Sequence, residues 1–346
     1  MEAGINSLPI YARMLCDMVG LKFTMGGNTA YSTGGLINIP PVPPDNQEAK
    51  NLAFGMIMHE SGHEADTDYE SWPKEAVLAR MANRLEDIRI EKRRCKRYPG
   101  AQKRLSDMVD GLMRTGYFGP PAEDQSPATL LGSAIYYGLR VDILGQEALS
   151  AWADEAIRLA KKVLPEMLVD DVMVIASRVE DVRTTQEVID LAASILDLIE
   201  EEKDKQEEQA KNPPPQQSPQ QQQGGQNGEE DEDDNQSAPS QGQGQGQSAS
   251  EEDEDGQSQG APGPSGNSQP SGSQVSGGSG SSGEEIDPEA AAKAIQSILD
   301  GEDDEAPVDA GQAAGKALDS IAQQNYSSSL ILPTAKRANA AVGTNA

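Results

Sequence analysis

Histidine, cysteine and the large aromatic residues are scarce in this chain of 346 residues, which has two histidines, two cysteines, two tryptophans and three phenylalanines. Cys16 and Cys95 are too few for a disulfide-rich secreted domain and fit a reducing compartment. No apolar run reaches the length of about 18 residues that a membrane-spanning helix needs. The first residues contain Glu2 and Pro9 and lack a basic stretch followed by an apolar run, so no secretory signal is predicted. We therefore expect a cytoplasmic protein with no membrane partner.

Lysine and arginine are absent from residues 212–292. This stretch is rich in glutamine, glycine, serine and proline, and it carries acidic runs at 229–234 and 251–255. Such a composition buries too little apolar surface to offset the loss of chain entropy, which predicts a long disordered acidic linker over residues 206–283. The linker contributes much of the net charge of −29. This excess of negative charge disfavours non-specific binding of nucleic acid by the whole chain.

Both histidines lie in one pentad, His59-Glu60-Ser61-Gly62-His63, which has the pattern H-E-x-x-H. Residues four apart share one face of a helix, so both rings can bind a single metal ion. Glu60 lies about 100° round the helix from His59, where it can polarise a metal-bound water without being a ligand. The alternative is a pair of surface histidines on an amphipathic helix. The pattern favours a zinc-dependent hydrolase.

The residues before the pentad predict a small sheet followed by a capped helix. Apolar and polar residues alternate over 21–25, as in a half-buried strand. Residues 28–31 and 36–39 flank a Ser-Thr-Gly-Gly turn signal, which predicts a hairpin. Asp45 is the expected N-cap of the pentad helix, with Glu48 three residues on.

A site with two histidines needs a third protein ligand, which leaves one position for water. The pattern from Lys74 onward is helical, and this helix can return a carboxylate to the histidines. Glu86 is the favoured third ligand, Asp87 is the near alternative, and Asp66 or Asp68 would be closer in sequence. A further alternative is that Glu86 and Asp87 are solvated helix charges paired with nearby basic residues.

This order of a strand hairpin, an H-E-x-x-H helix and a second helix with a glutamate resembles the gluzincin class of zinc metallopeptidases. More narrowly, residues 58–63 together with residues 83–91 resemble a phage and bacterial group of cobaltochelatase-subunit-like, or von Willebrand A-associated, proteins. The resemblance covers about residues 15–115, and it implies a location in the host cytoplasm or the virion if a phage encodes the protein. Members of that group often continue into a von Willebrand A domain with a D-x-S-x-S motif, and this sequence has no match to that motif.

The gluzincin resemblance implies Zn²⁺ held by His59, His63 and Glu86, with Glu60 as the general base that activates a metal-bound water. Tyr69 and Tyr98 are candidates for stabilising the oxyanion, since no further histidine is present. The predicted function is therefore a zinc metallopeptidase-like protein that hydrolyses peptide bonds in a protein or peptide substrate. The competing hypothesis is a non-catalytic adaptor, partner-binding or virion-associated, which keeps a structural or vestigial zinc site and binds an ATPase or virion protein.

The expected fold class is α+β, mostly α-helical with a small N-terminal antiparallel sheet, zincin-like, followed by the disordered linker. Residues 1–122 are expected to form the metallopeptidase domain, and residues 123–205 a helical extension packed on it. After the linker, we expect a short helical segment at 284–323 and a flexible tail at 324–346.

Eight basic residues lie within a stretch of sixteen: Arg89, Lys92, Arg93, Arg94, Lys96, Arg97, Lys103 and Arg104. A solvated helix face is one interpretation of such a cluster, and phosphate contact is another. Only Tyr98 interrupts the cluster as an aromatic, so base stacking is disfavoured and nucleic acid is not an expected partner. A third hypothesis is intramolecular docking of the acidic linker on this basic helix.

Overall fold

The computed structural model describes residues 5–16, 21–212 and 286–331, with side chains as far as residue 324. Over these ranges the chain is mostly helical with one small sheet, which confirms the α+β class. The helices are α1 (Leu8–Cys16), α2 (Gln47–Asp66), α3 (Ala76–Arg97), α4 (Ala101–Thr115), α5 (Pro127–Asp142), α6 (Ser150–Val163), α7 (Glu166–Ser177), α8 (Thr185–Lys211), α9 (Pro288–Leu299) and α10 (Ala310–Ile331). The strands are β1 (Lys22–Met25), β2 (Tyr31–Ser32) and β3 (Leu36–Ile39). In the described ranges, no helix has the length and apolar content needed to cross a bilayer.

The sheet has the strand order β1-β3-β2, with β3 in the centre. β2 and β3 form the predicted antiparallel hairpin, whose turn uses positive φ angles at Gly34 and Gly35. β1 pairs with β3 in the parallel direction, with Lys22 opposite Leu36, so the prediction of a purely antiparallel sheet is wrong. The chain reverses direction between β1 and β2 and again before β3. Two reversals restore the original direction, so β3, which inserts between the first two strands, runs parallel to β1.

Helix α2 carries the pentad through the middle of the fold. Its N-cap is Asn46, whose side chain accepts a hydrogen bond from the Ala49 N–H at 2.9 Å, one residue after the predicted cap Asp45. Every residue from 52 to 63 is buried, because α1, β3, α3, α4 and α10 all contact α2. A helix enclosed in this way has no solvated stripe. The alternative of two surface histidines is therefore excluded.

The described residues pack around two apolar clusters. One cluster joins α1, the sheet, α2, α4 and α10, and the other joins part of α3 to α5, α7, α8 and α9. Helix α3 lies between α2 and the helices α5 and α8, so its charged residues face the interior. The two helices that follow residue 286 belong to the same compact unit as the chain before residue 212. The predicted boundary between residues 122 and 123 stays a prediction.

The predicted linker and tail fall mostly outside the described residues. Helix α8 continues to Lys211, so the start of the predicted linker, at residue 206, is helical. The helix α10 likewise extends to Ile331, beyond residue 324, where the tail was predicted to begin. The acidic runs at 229–234 and 251–255 lie outside the described ranges, and their predicted docking on the basic helix stays a prediction.

Candidate metal centre

The close contact between α2 and α3 builds the site. Gly62 makes this contact possible, because a Cβ atom there would lie 3.0 Å from Cδ1 of Ile90 on α3. Ile90 packs directly under the pentad. Asp87 precedes it by three residues and Glu91 follows it by one, so both side chains also face α2. The sequence thus places two histidines on one helix opposite two carboxylates on the next.

The two imidazole rings and one carboxylate oxygen converge on a single point. The Oδ1 atom of Asp87 lies 3.4 Å from Nε2 of His63 and 3.7 Å from Nε2 of His59. Bonds of about 2.0–2.1 Å to a tetrahedral ion would separate neighbouring ligand atoms by roughly 3.3–3.5 Å. The distance of 3.4 Å lies in this range and that of 3.7 Å slightly above it, and the three residues form a group that could hold a metal ion.

Two of these atoms are buried without a hydrogen-bond partner. Nε2 of His59 and Oδ1 of Asp87 are both buried away from solvent, and neither atom takes part in a hydrogen bond. A buried polar atom left without a partner costs free energy, so folded proteins rarely contain one without a ligand to satisfy it. A cation between His59, His63 and Asp87 would satisfy both atoms, and the donor set of two imidazoles and a carboxylate suits a divalent transition metal.

The other nitrogen of each ring is held by a hydrogen bond that fixes its tautomer. Nδ1 of His59 donates to Oε1 of Glu91 at 2.9 Å, and Nδ1 of His63 donates to the Thr67 hydroxyl at 3.0 Å. With Nδ1 protonated, the neutral form of each ring offers its Nε2 lone pair to an ion. Such outer hydrogen bonds orient the ring and raise its strength as a ligand.

A buried arginine supports this arrangement from α5. Arg140 donates to both oxygens of Glu91, at 2.9 and 3.0 Å, and also to the Tyr136 hydroxyl at 2.8 Å. Tyr136 in turn donates to Oδ2 of Asp87 at 3.0 Å. The guanidinium thus orients Glu91 directly and Asp87 through Tyr136, and it leaves Oδ1 of Asp87 free to face the histidines.

The electrostatics favour a positive charge at the centre. Burial lowers the pKa of His59, but the carboxylates of Asp87 and Glu91 outweigh burial and raise this pKa to about 10. Burial likewise opposes ionisation of Asp87, yet the two histidines and Arg140 hold its pKa below the ordinary value. Without a metal ion, a proton on His59 therefore balances the carboxylates. Metal binding would release that proton.

Glu60 faces a small cavity beside the centre. The cavity measures about 180 Å³ and is also lined by Ser32, His63, Tyr69 and Asp309. Burial raises the pKa of Glu60 to about 7, against the opposing effect of His59. The side chain can therefore exchange a proton near neutral pH. Its carboxylate also forms a second group of metal-binding geometry, with His59 and Asp309.

Glu86, the favoured third ligand in the sequence, is not among the residues brought together here. Its carboxylate accepts hydrogen bonds from Arg89 at 2.6 and 2.7 Å and from Thr67 at 2.7 Å. Neighbouring residues on a helix point about 100° apart, so only one of Glu86 and Asp87 can face α2. Asp87 takes the position expected for Glu86, and the packing of Ile90 under Gly62 decides between them.

The remaining sequence candidates have other contacts. Asp66 is paired with Arg93 and Arg94, and Asp68 caps the short helix Tyr69–Ser71. The Tyr69 hydroxyl contacts Ser32 at the cavity, whereas that of Tyr98 donates to the Leu15 carbonyl. Within the basic cluster, ion pairs link the following residues to acidic groups of the described chain: Arg89, Lys92, Arg93, Arg94 and Lys103.

The comparison with protein families gives one match. The model of the family described as "Cobalamin biosynthesis protein CobT" matches residues 11–270, a range that contains the histidines, Asp87, Glu91 and Arg140. The comparisons with curated proteins and with solved structures returned no match.

This match corrects the functional predictions made from the residues. It supports the cobaltochelatase-like part of the resemblance, and it contradicts the hydrolysis of peptide bonds with Glu60 as general base. The match also contradicts the competing hypothesis of a non-catalytic adaptor. The gluzincin and phage labels likewise find no support. The pentad alone could not have shown this, because two imidazoles and a carboxylate hold a metal ion equally well for other chemistry.

Proposed function

This chain belongs to the family of the cobalamin biosynthesis protein CobT, and on that premise we propose that it acts in a cobaltochelatase-type step of cobalamin biosynthesis. The proposed substrate is divalent cobalt, held between His59, His63 and Asp87. The observation that carries the proposal is the pair of buried, unpartnered atoms, Nε2 of His59 and Oδ1 of Asp87. In a family described by cobalamin biosynthesis, these atoms support the binding of a cobalt ion between the three residues.

The donor set supports a divalent ion that is bound firmly and can still be given up. Three protein ligands leave a further coordination position open, which is how catalytic metal sites differ from closed structural ones. The cavity beside Glu60 and His63 gives that position access to the exterior. A substrate ion needs such an opening to enter and leave.

Each residue of the centre has a role in this proposal. Glu91 and Thr67 keep the two rings in the tautomer that binds a cation. Asp87 supplies the negative charge, and Arg140 and Tyr136 fix its orientation. Glu60 has a pKa of about 7 and lies beside His59, so it can accept the proton that the incoming ion displaces from that ring.

Zinc, the ion expected from the pentad, has the same preferences for imidazole and carboxylate donors. Affinity at such a site follows the general order of the first-row divalent ions, so the donors alone do not select cobalt. We propose cobalt because the family acts in cobalamin biosynthesis. Binding of Zn²⁺ to the same residues is an expected competing equilibrium.

The test is equilibrium binding of Co²⁺ to the metal-free full chain, followed by calorimetry and by the visible absorption of Co²⁺. The wild type should bind one ion per chain, and His63→Ala and Asp87→Asn should each lose at least about tenfold in affinity. Asp107→Asn is the matched control, because it makes the same change at a carboxylate of α4 that pairs with Lys103, away from the histidines. A wild-type chain that binds no Co²⁺, or that binds it equally well after Asp87→Asn, would refute the proposed centre.

A cellular measurement tests the link to cobalamin. In cells that depend on this protein for cobalamin, Asp87→Asn should lower cobalamin content at unchanged protein abundance, whereas the control Asp107→Asn should leave cobalamin content unchanged. Normal cobalamin content with an abundant Asp87→Asn variant would contradict the proposed role.

A further inference from the structure

The metal centre has a wall that comes from the far end of the chain. Residues 304–309, which precede α10, lie across α3 and are fixed there by hydrogen bonds. Arg84 donates to both oxygens of Asp304, at 2.7 and 2.8 Å, and Asn83 donates to the Val308 carbonyl at 2.8 Å. This segment follows residue 286, whereas the family match ends at residue 270. It is therefore an element of this chain outside the matched region.

The segment reaches the centre itself through its residues 309–311. The Ala310 N–H donates to Oδ2 of Asp87 at 3.1 Å. Oδ1 of Asp309 lies 3.7 Å from Nε2 of His59, which is also the distance from that nitrogen to Oδ1 of Asp87. Gly311 packs so tightly on Glu60 and His59 that no Cβ atom fits there. The segment and the centre thus share a direct, closely packed contact.

We propose that Asp309 is a further ligand of the metal ion, so that the ion and the C-terminal segment bind the rest of the protein cooperatively. This inference rests on the metal centre of the proposed function. The buried Nε2 atom of His59 has no hydrogen-bond partner, and one carboxylate oxygen of Asp87 and one of Asp309 each lie 3.7 Å from it. Asp309 belongs with Glu60 to a second group of metal-binding geometry, which shares His59 with the group of His63 and Asp87. Asp309 would therefore reach the ion by a movement of its side chain, into the coordination position that the other three ligands leave open.

The other bonds of Asp309 are compatible with this role. Its Oδ1 accepts a hydrogen bond from the Gln312 N–H at 2.8 Å, and its Oδ2 accepts one from the Gln312 side chain at 3.1 Å. A carboxylate offers about four lone-pair positions, so Asp309 can cap α10 and bind an ion at the same time. The cap also holds the carboxylate at the start of the helix, next to the centre.

Cooperative binding follows from linkage. If the docked segment contributes a ligand, the ion binds more tightly when the segment is docked, and the segment docks more tightly when the ion is bound, by the same factor. The segment is then a closure that responds to metal. An ion held by Asp309 as well would lose one of its ligands when the segment moves away, and it would then bind more weakly.

The experiment compares Asp309→Asn with Asp319→Asn in the full chain. Asparagine is as good an N-cap as aspartate, so the first variant keeps the helix start and loses only the charged ligand. The control removes the same charge from α10 without touching the centre. Calorimetry with Co²⁺ should show an affinity loss of about 10- to 100-fold for Asp309→Asn and no loss for Asp319→Asn.

Hydrogen exchange provides the second measurement. In the wild type, Co²⁺ should slow amide exchange over residues 304–324, and this protection should be lost in Asp309→Asn. Gly311→Val tests the coupling from the side of the segment. The added side chain has no room against Glu60, so this variant should loosen the segment and should also bind Co²⁺ more weakly. Exchange over 304–324 that is indifferent to Co²⁺, or equal affinities for wild type and Asp309→Asn, would overturn the inference.

These outcomes separate this inference from the proposed function. If the wild type binds no Co²⁺, the proposed function fails. If Asp309→Asn binds like the wild type while Asp87→Asn does not, only the role of Asp309 is refuted.

Discussion

The buried guanidinium of Arg140 offers a sharp test of how the centre is held together. Its side chain is fully buried and donates to both oxygens of Glu91, which is also fully buried. Arg140→Met removes the guanidinium charge and leaves one positive charge, on His59, for the two buried carboxylates of Glu91 and Asp87. Breaking a buried ion pair in this way costs about 3–5 kcal/mol. For a folded unit of this size, the melting temperature should fall by roughly 6–20 °C.

The assay is thermal and urea denaturation of the metal-free chain. Arg158→Met is the matched control, because Arg158 pairs with Glu155 at the exposed surface, where solvent screening makes an ion pair contribute little to stability. Glu91→Gln in the Arg140→Met background should recover part of the lost stability, since it removes the uncompensated charge. A loss below about 1 kcal/mol for Arg140→Met would refute the assignment of Arg140 as the support of Glu91.

Three further predictions concern the ion, the helix contact and pH. Co²⁺ at 100 times its Kd should raise the unfolding free energy of the wild type by about 2.7 kcal/mol, and the same concentration should raise that of His63→Ala much less. Urea denaturation measures both changes, and an equal rise in the two proteins would count against the centre. Gly62→Ala should lower the unfolding free energy by about 1–3 kcal/mol, because the added methyl group forces Ile90 away. Adding Ile90→Ala to the same chain should relieve part of this strain. If the losses of the two single variants simply add in the double variant, the close contact is contradicted. Burial raises the pKa of Asp66, but its hydrogen bonds and ion pairs with Arg94 and Arg93 outweigh burial and lower this pKa below 3.8. The stability that Asp66 contributes is therefore present above pH 3.8, and it is lost as the pH falls through the pKa of the folded state. The stability difference between wild type and Asp66→Asn should therefore shrink in acid urea titrations, and a constant difference would contradict it.

The helix of the pentad and the hairpin before it were predictable because their signals are local. The i,i+4 spacing of His59 and His63 and the turn glycines before β3 act within a few residues. The parallel pairing of β1 was not predictable in the same way. It depends on which edge of β3 the first strand meets, and no local signal in four residues decides that.

The third ligand shows where local reasoning stops. Glu86 and Asp87 are equivalent by spacing from the histidines, and only the packing of Ile90 against Gly62 turns Asp87 toward the rings. The i,i+4 relation of Asp87 and Glu91 was a usable signal, since it places two carboxylates on the face that must meet α2. Arg140 and Asp309 carried no such signal, because they reach the centre only through tertiary packing.

The hydrogen bond from the Ala310 N–H to Asp87 joins residues 223 positions apart in the chain. A ribosome adding roughly 5–20 residues per second needs about 10–45 s to cover that interval. During this time a nascent chain presents both imidazoles and the Asp87 carboxylate without the amide that will orient it. Any ion captured co-translationally would therefore meet a looser ligand shell than the one in the finished protein.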